Sequence, residues 1–263
     1  MIEAVLYYLL LGALAGTVAG LLGIGGGLII VPALASIFAA QGFDSEIIMH
    51  LALGTSLATI VVTSISSILT HHRRGAVMWP VVTRLSGGIV VGAMAGAIMA
   101  EQLSSVWLQK LFALFTLLVA AQMALAWWPQ GARQLPGRVA LAGVGGAIGL
   151  VSAVVGIGGG TMTTPFLLWC NSTTRSAIAT SAACGLPIAL AGAVGYWLVG
   201  LGSDLLPANS SGYIYWPALL GVVASSVIFA SLGARLTHHL PAAFLKKGFS
   251  LLLLVIGLNL LWV

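Results

Sequence analysis

The sequence predicts an all-α polytopic membrane protein built from two inverted repeats of five hydrophobic segments each. Three observations carry that expectation. Of 263 residues, 60% are hydrophobic and only 6% charged, whereas a soluble domain carries about 25% charge on a surface that must face water. Apolar runs of about 20 residues recur from end to end, each long enough to cross a hydrocarbon core roughly 30 Å thick. The chain also repeats itself, which fixes how those runs are grouped.

The repeat is read from short echoes in constant order. Gly23-Ile24-Gly25-Gly26-Gly27 with Pro32 returns as Gly156-Ile157-Gly158-Gly159-Gly160 with Pro165 at the same spacing. Ala52-Leu53-Gly54-Thr55-Ser56 resembles Ala177-Ile178-Ala179-Thr180-Ser181, and Trp79-Pro80 pairs with Trp216-Pro217. At the offset of the Trp-Pro pair, Leu108-Gln109-Lys110 meets Leu245-Lys246-Lys247 and Gln122 meets Asn259. The halves are residues 1–128 and 139–263, joined by a linker at 129–138.

The segments follow from the polar breaks. In the first half they run from about Glu3 to Leu22, from Gly25 to Ala40 beyond the glycines, and from Ile47 to the basic stretch after Thr70. The fourth and fifth run from Ala76 to Ala100 and from Ser105 to Trp128. In the second half they fall at Val139 to Val155, Gly158 to Cys170, Ser176 to Val199, Tyr213 to Arg235 and Ala242 to Val263. The N-terminus, Met1-Ile2-Glu3, lacks the basic region of a cleavable signal, so the first segment is expected to remain as a span.

Charge supplies the orientation. With five traverses per half, one face receives Arg73, Arg74, Arg84, Arg133, Arg138, Arg175, Arg235, Lys246 and Lys247, nine of the ten cations. The other receives Glu3, Asp44, Glu46, Glu101, Asp204 and the exception Lys110. Because Lys and Arg collect in cytoplasmic loops, the basic face is cytoplasmic and both termini are expected to be periplasmic. Taking each glycine-broken pair as one span would make Glu3 to Ala40 about 57 Å long, nearly twice the core. An odd number of crossings then inverts the second copy. Inverted repeats whose broken helices meet near the midplane are the architecture of secondary transporters.

The glycines locate the expected site. Each costs about 1 kcal/mol in a helix interior, so the helix breaks there, and broken backbone at depth is tolerated only when buried in protein or lining a polar cavity. Legs beginning near Gly27 and Gly160 would offer free N–H groups and the positive end of a helix dipole, an anion site without a charged side chain. Gly25, Gly26, Gly27, Gly158, Gly159, Gly160 and Thr161 are the candidate binding residues. Glycine freedom at positive φ and the carbonyls of Leu28 and Thr161, deprived of a partner by Pro32 and Pro165, fit irregular backbone. The competing reading is close helix packing.

Further candidates occupy equivalent positions in the halves. Thr55, Ser56, Thr180 and Ser181 carry hydroxyls that either reach a bound oxyanion or bond their own backbone. Gln122 and Asn259 either face the pathway or pin helices together. Cys184 is a small buried hydrophobe or a sulfur contact, with Cys170 at the end of a leg. His50 is a proton carrier or an interfacial residue. His71, His72, Arg73 and Arg74 form a topology signal or an anion funnel. Trp79-Pro80, Trp216-Pro217 and Trp127-Trp128 suit interface anchors.

Several classes are disfavoured. The net charge of +5 comes from scattered cations with no basic aromatic tract, so no nucleic-acid partner is expected. Two cysteines make neither a disulfide framework nor a metal site. An enzyme would need a nucleophile with a base, a carboxylate pair or a metal constellation at depth, and none is present in the sequence. No cofactor is expected; the partners are membrane lipid and a small anion. A channel and an assembly scaffold remain the rivals to a carrier.

On Gly23 to Pro32, Gly156 to Pro165, the Ala52 to Ser56 stretch, the length and the duplicated apolar layout, the whole chain resembles the TauE/SafE sulfite exporter family, also described as toluenesulfonate uptake permeases. The resemblance implies transport of sulfite, an organosulfonate or a related small sulfur-containing anion across a bacterial inner membrane. A monoanion leaving a cell with a negative interior gains about 2.3 kcal/mol per 100 mV, which favours export without a coupling ion. Proton-coupled uptake, or a channel for another small anion, is the alternative.

Overall fold

The computed structural model describes residues 2–22, 26–125, 134–236 and 242–262. The expectations on Gly25, Trp127, Trp128 and Arg133 lie outside these residues, as do those on the side chains of Glu3, Arg235 and Lys246. Within them the chain is an all-α polytopic membrane protein. In the first half, α1 is Ile2–Leu22, α2 Gly27–Ala40, α3 Ile48–Arg73, α4 Trp79–Glu101 and α5 Ser105–Ala124. In the second, α6 is Arg138–Val155, α7 Gly160–Trp169, α8 Thr174–Gly200, α9 Trp216–Leu236 and α10 Ala242–Trp262. Five of them, α3, α4, α5, α6 and α8, are long and apolar enough among the described residues to cross a membrane.

α2 and α7 are different in kind. They have 14 and 10 residues, roughly 21 and 15 Å at 1.5 Å per residue, too short for a core of about 30 Å. Each is a leg rather than a span. α3 and α8 have 26 and 27 residues and form the centre, packed on each other. From Met49 to Ile60 every residue of α3 is buried, as expected of a helix that faces protein on all sides.

The remaining contacts pair the halves in a reciprocal pattern. α4 packs on α6 and α9 on α1; α4 reaches α8 and α9 reaches α3; α2 lies on α3 and α7 on α8; α5 pairs with α10 at the periphery. Small residues make the α4–α6 contact close. A Cβ at Gly92 would strike the Gly146 carbonyl, and one at Gly149 would strike the Ile89 carbonyl. The same holds for Gly12 and Gly16 of α1 against Val222 and Ser226 of α9. Lipid tails supply no hydrophobic drive between helices, so such close backbone approach is what holds them.

Two expectations are corrected. Pro32 and Pro165 leave their legs helical: each is the sixth helical residue, where the missing N–H removes only one bond, near the helix start. The span drawn from Tyr213 begins at Trp216, because Ser210–Ser211 and Ile214–Tyr215 form a short antiparallel hairpin, β1 and β2, before α9. The Trp216 N–H donates to the Asn209 carbonyl, closing that hairpin at 3.2 Å.

Candidate functional site

The second glycine motif shows how a helix is broken without leaving bare backbone. α6 ends in a Schellman turn: the Ile157 N–H donates to the Ser152 carbonyl at 3.0 Å and the Gly156 N–H to Ala153 at 3.2 Å. Gly156 stands at φ +69°, the left-handed conformation that this turn requires and glycine adopts without penalty. Its carbonyl accepts the Ser56 hydroxyl of α3 at 2.9 Å.

The other described glycines act through their missing side chains. Gly26 and Gly159 are in ordinary right-handed backbone, so the expected positive φ is confined, among the described residues of the two motifs, to Gly156. A Cβ at Gly27 would lie 2.8 Å from the Gly156 carbonyl and 3.0 Å from the Ile157 Cα. The start of the first leg therefore rests directly on the second break. A Cβ at Gly159 would meet the Ser181 carbonyl at 2.7 Å, whereas one at Gly158 would meet only the Ile60 side chain, at 3.4 Å. Ser56 to Ile60 and Ser181 to Gly185 lie near the middle of α3 and α8, so the break is held halfway along the two central helices. Packing and a site at this place are compatible.

Beyond the break the legs diverge in chemistry. α2 opens Gly27-Leu28-Ile29-Ile30-Val31 and buries all five residues. α7 opens Gly160-Thr161-Met162-Thr163-Thr164 and buries Thr161, Thr163 and Thr164. Thr164 donates its hydroxyl to Ser181 Oγ at 2.8 Å. The hydroxyls of Thr161, Thr163 and, at the end of α6, Ser152 are buried with no hydrogen-bond partner. Burying a polar group without a partner costs about 1–3 kcal/mol, so three on adjoining turns demand an explanation. The first N–H groups of α7 likewise lack a carbonyl within the helix, and the positive end of its dipole lies there. Cys184 of α8 is buried, and its backbone lies beside Gly159.

Other expected residues are placed differently. Thr55 accepts the Tyr215 N–H at 3.0 Å, and Thr180 accepts the Met78 N–H, also at 3.0 Å. Tyr215 and Met78 each precede a Trp-Pro pair, so each threonine ties a central helix to the start of a helix in the other half. Gln122 and Asn259 belong to the peripheral α5–α10 pair, and Asn259 is exposed on it. The amide that joins those helices is Gln109, whose Nε2 donates to the Leu260 carbonyl at 2.9 Å.

The charge segregation also has a structural counterpart. At the end of α3 Arg175 donates to the Arg74 carbonyl at 3.0 Å. At its start Ser105 bonds the Glu46 carbonyl at 2.9 Å, and Tyr213 bonds Glu101 at 3.1 Å. Ser152, Thr163 and Thr164 were not singled out by sequence reasoning. The signal was present as the contrast between Leu-Ile-Ile-Val and Thr-Met-Thr-Thr at equivalent repeat positions.

Short broken legs, two buried central helices and neutral hydroxyls at the break define a polytopic α-helical membrane protein of the transporter class. The sulfite exporter TauE/SafE family model matches residues 8–260, and the chain belongs to that family; it is a membrane transporter and not an enzyme. It is 38% identical over 261 residues to a probable membrane transporter protein of Haemophilus influenzae, covering 99% of both chains. A probable membrane transporter protein of Methanocaldococcus jannaschii is 27% identical, with 96% of this chain and 94% of the relative covered. A Bacillus subtilis protein of the same description is 26% identical, over 95% and 97%. No solved structure is a significant match.

Proposed function

We propose that the protein is a secondary carrier for a small sulfur-containing oxyanion, sulfite or an organosulfonate, and that it works in the direction of export across a bacterial inner membrane. The observation that carries this reading is the group of unpartnered buried hydroxyls, Ser152, Thr161 and Thr163, at the second break. Neutral O–H donors beside a helix N-terminus suit an oxyanion that must be held without a salt bridge and then released. The family's description as sulfite exporters supports the choice of anion.

In this reading residues 1–128 and 139–263 are inverted halves, both termini are periplasmic, and the two breaks meet near the bilayer midplane. Reciprocal helix pairing supports it, because exchanging the conformations of the halves moves access from one face to the other. Expulsion of a monoanion down the membrane potential gains about 2.3 kcal/mol per 100 mV.

Purified protein in sulfite-loaded liposomes tests the reading. Saturable efflux, counterflow of labelled sulfite and acceleration by an inside-negative potential are expected. Flux that never saturates and shows no counterflow would identify a channel. No flux of sulfite or of a short-chain sulfonate would overturn the anion assignment.

A further inference from the structure

The acidic end of the molecule holds a buried histidine that the anion site does not use. His50, the third residue of α3, is only 4% exposed. Its Nε2 lies 3.0 Å from the Ala100 carbonyl of α4. A carbonyl only accepts, so that nitrogen carries the proton and Nδ1 is left as a bare lone pair. Nδ1 is buried and has no hydrogen-bond partner.

The surroundings are built around that ring. Tyr213 of the hairpin lies against it, with ring centroids 5.0 Å apart, and donates its hydroxyl to Glu101 Oε1 at 3.1 Å. Burial, and then the charge of Glu101, push the Tyr213 hydroxyl up to about 12, so it stays protonated and remains a donor. Tyr196 of α8 stands edge-on to Tyr213, its own hydroxyl donated to the Ala153 carbonyl. From α5, Ser105 accepts the Met49 N–H at 3.1 Å and fixes the start of α3. The segment entering α3 carries Asp44 and Glu46, and Lys110 of α5 lies over the Trp107 ring. Through Tyr213 these contacts bring the Glu101 carboxylate toward the His50 ring, opposed by the positive end of the α3 dipole.

The other half offers a control within the molecule. The repeat places Arg175 where the first half has His50, and Arg175 also donates to a carbonyl at a helix end, that of Arg74. Arginine is permanently charged, whereas histidine changes charge within the physiological range. At this repeat position one side chain is thus permanently charged and the other titratable.

We propose that His50 is a proton-binding site, with Glu101 as its counter-charge, through which proton uptake from the acidic-residue side is coupled to movement of the anion. The proton binds at Nδ1, Nε2–H stays on the Ala100 carbonyl, and the His50–Glu101 pair passes from net negative to neutral. One proton entering as one monoanion leaves moves two charges in the same sense, so an inside-negative potential drives the exchange. The coupling rests on the carrier reading above; the proton site does not.

Full-length protein labelled with ¹⁵N-histidine in lipid nanodiscs tests the site directly, the His50 signals being assigned by their loss in His50→Gln. The ring is expected to be neutral at high pH with its proton on Nε2, and to gain its second proton at Nδ1 on acidification. Glu101→Gln is expected to lower its proton affinity at least threefold, and Tyr213→Phe, which frees the carboxylate, to raise it. A ring that stays neutral to pH 5, or an affinity unchanged in Glu101→Gln, would overturn the site. In sulfite-loaded liposomes, wild-type flux should respond to pH on the acidic-residue side and His50→Gln flux should not. Wild-type flux indifferent to pH, or an unaltered response in His50→Gln, would overturn the coupling. Absence of any wild-type sulfite flux would count against the anion reading alone, since the nanodisc titration judges the proton site independently.

Discussion

The two glycine-broken legs have the same origin in the repeat and different chemistry. α2 follows its glycines with Leu28, Ile29, Ile30 and Val31, all buried; α7 follows them with Thr161, Met162, Thr163 and Thr164. At the start of each a glycine lets backbone approach backbone, Gly27 against Gly156 and Gly159 against Ser181. Among the described residues only the second places unpartnered hydroxyls at the break. The glycines are therefore a demand of the architecture, shared by both halves, and in the proposed reading the hydroxyls serve the ligand.

The largest expected effect breaks what the legs share. Gly159→Ala puts a methyl 2.7 Å from the Ser181 carbonyl and 3.1 Å from the Gly185 nitrogen, both backbone atoms that cannot step aside. Gly27→Ala does the same against Gly156. Each should abolish sulfite flux and lower the thermal unfolding midpoint in detergent. Gly158→Ala faces only the end of Ile60 at 3.4 Å and should keep flux within about threefold, a shortfall of no more than roughly 0.7 kcal/mol. Equal damage at positions 158 and 159 would remove the close-approach argument.

A smaller effect separates the legs. Replacing Thr161 and Thr163 by valine removes two hydroxyls and keeps the shape. Each lost hydrogen bond to an anion is worth about 1.5–3 kcal/mol, so sulfite affinity in the double variant should fall at least tenfold. Thermal stability without ligand should hold or rise, because two buried unsatisfied groups are gone. Ile30→Val, at the position equivalent to Thr163, should cost about 0.5–1.5 kcal/mol in stability and leave affinity within twofold. Titration of each variant by calorimetry checks the contrast; parallel losses of affinity would mean that both legs bind.

Much of this was legible in the amino-acid order. The ten segments coincide with the helices within a few residues, because run length against bilayer thickness is a strong constraint and polar breaks punctuate it. The reciprocal pairing follows from the repeat. The hairpin at Ser210 to Tyr215 escaped because its apolar Tyr213, Ile214 and Tyr215 run on into α9. The roles of Thr55 and Thr180 escaped because their partners, Tyr215 and Met78, lie more than a hundred residues away in sequence, and no periodicity encodes such a contact. In sequence Gln122 and Asn259 either face the pathway or pin helices together, and polarity alone does not tell which face a side chain takes; both lie on the α5–α10 pair, where Asn259 is exposed. His50 was visible as a titratable residue; its orphaned Nδ1 and its neighbours Tyr213 and Glu101 were not, since they come from three separate elements.

The central claim is that the anion rests at the second break against α7. Selenite, the selenium counterpart of sulfite, locates it most directly when soaked into crystals of the unlabelled protein and traced by the anomalous signal of selenium. The account predicts a peak within hydrogen-bond reach of the Thr161 and Thr163 hydroxyls, lost in the double valine variant. A peak on the α2 side, at either end of the central helices or nowhere within the molecule would contradict it.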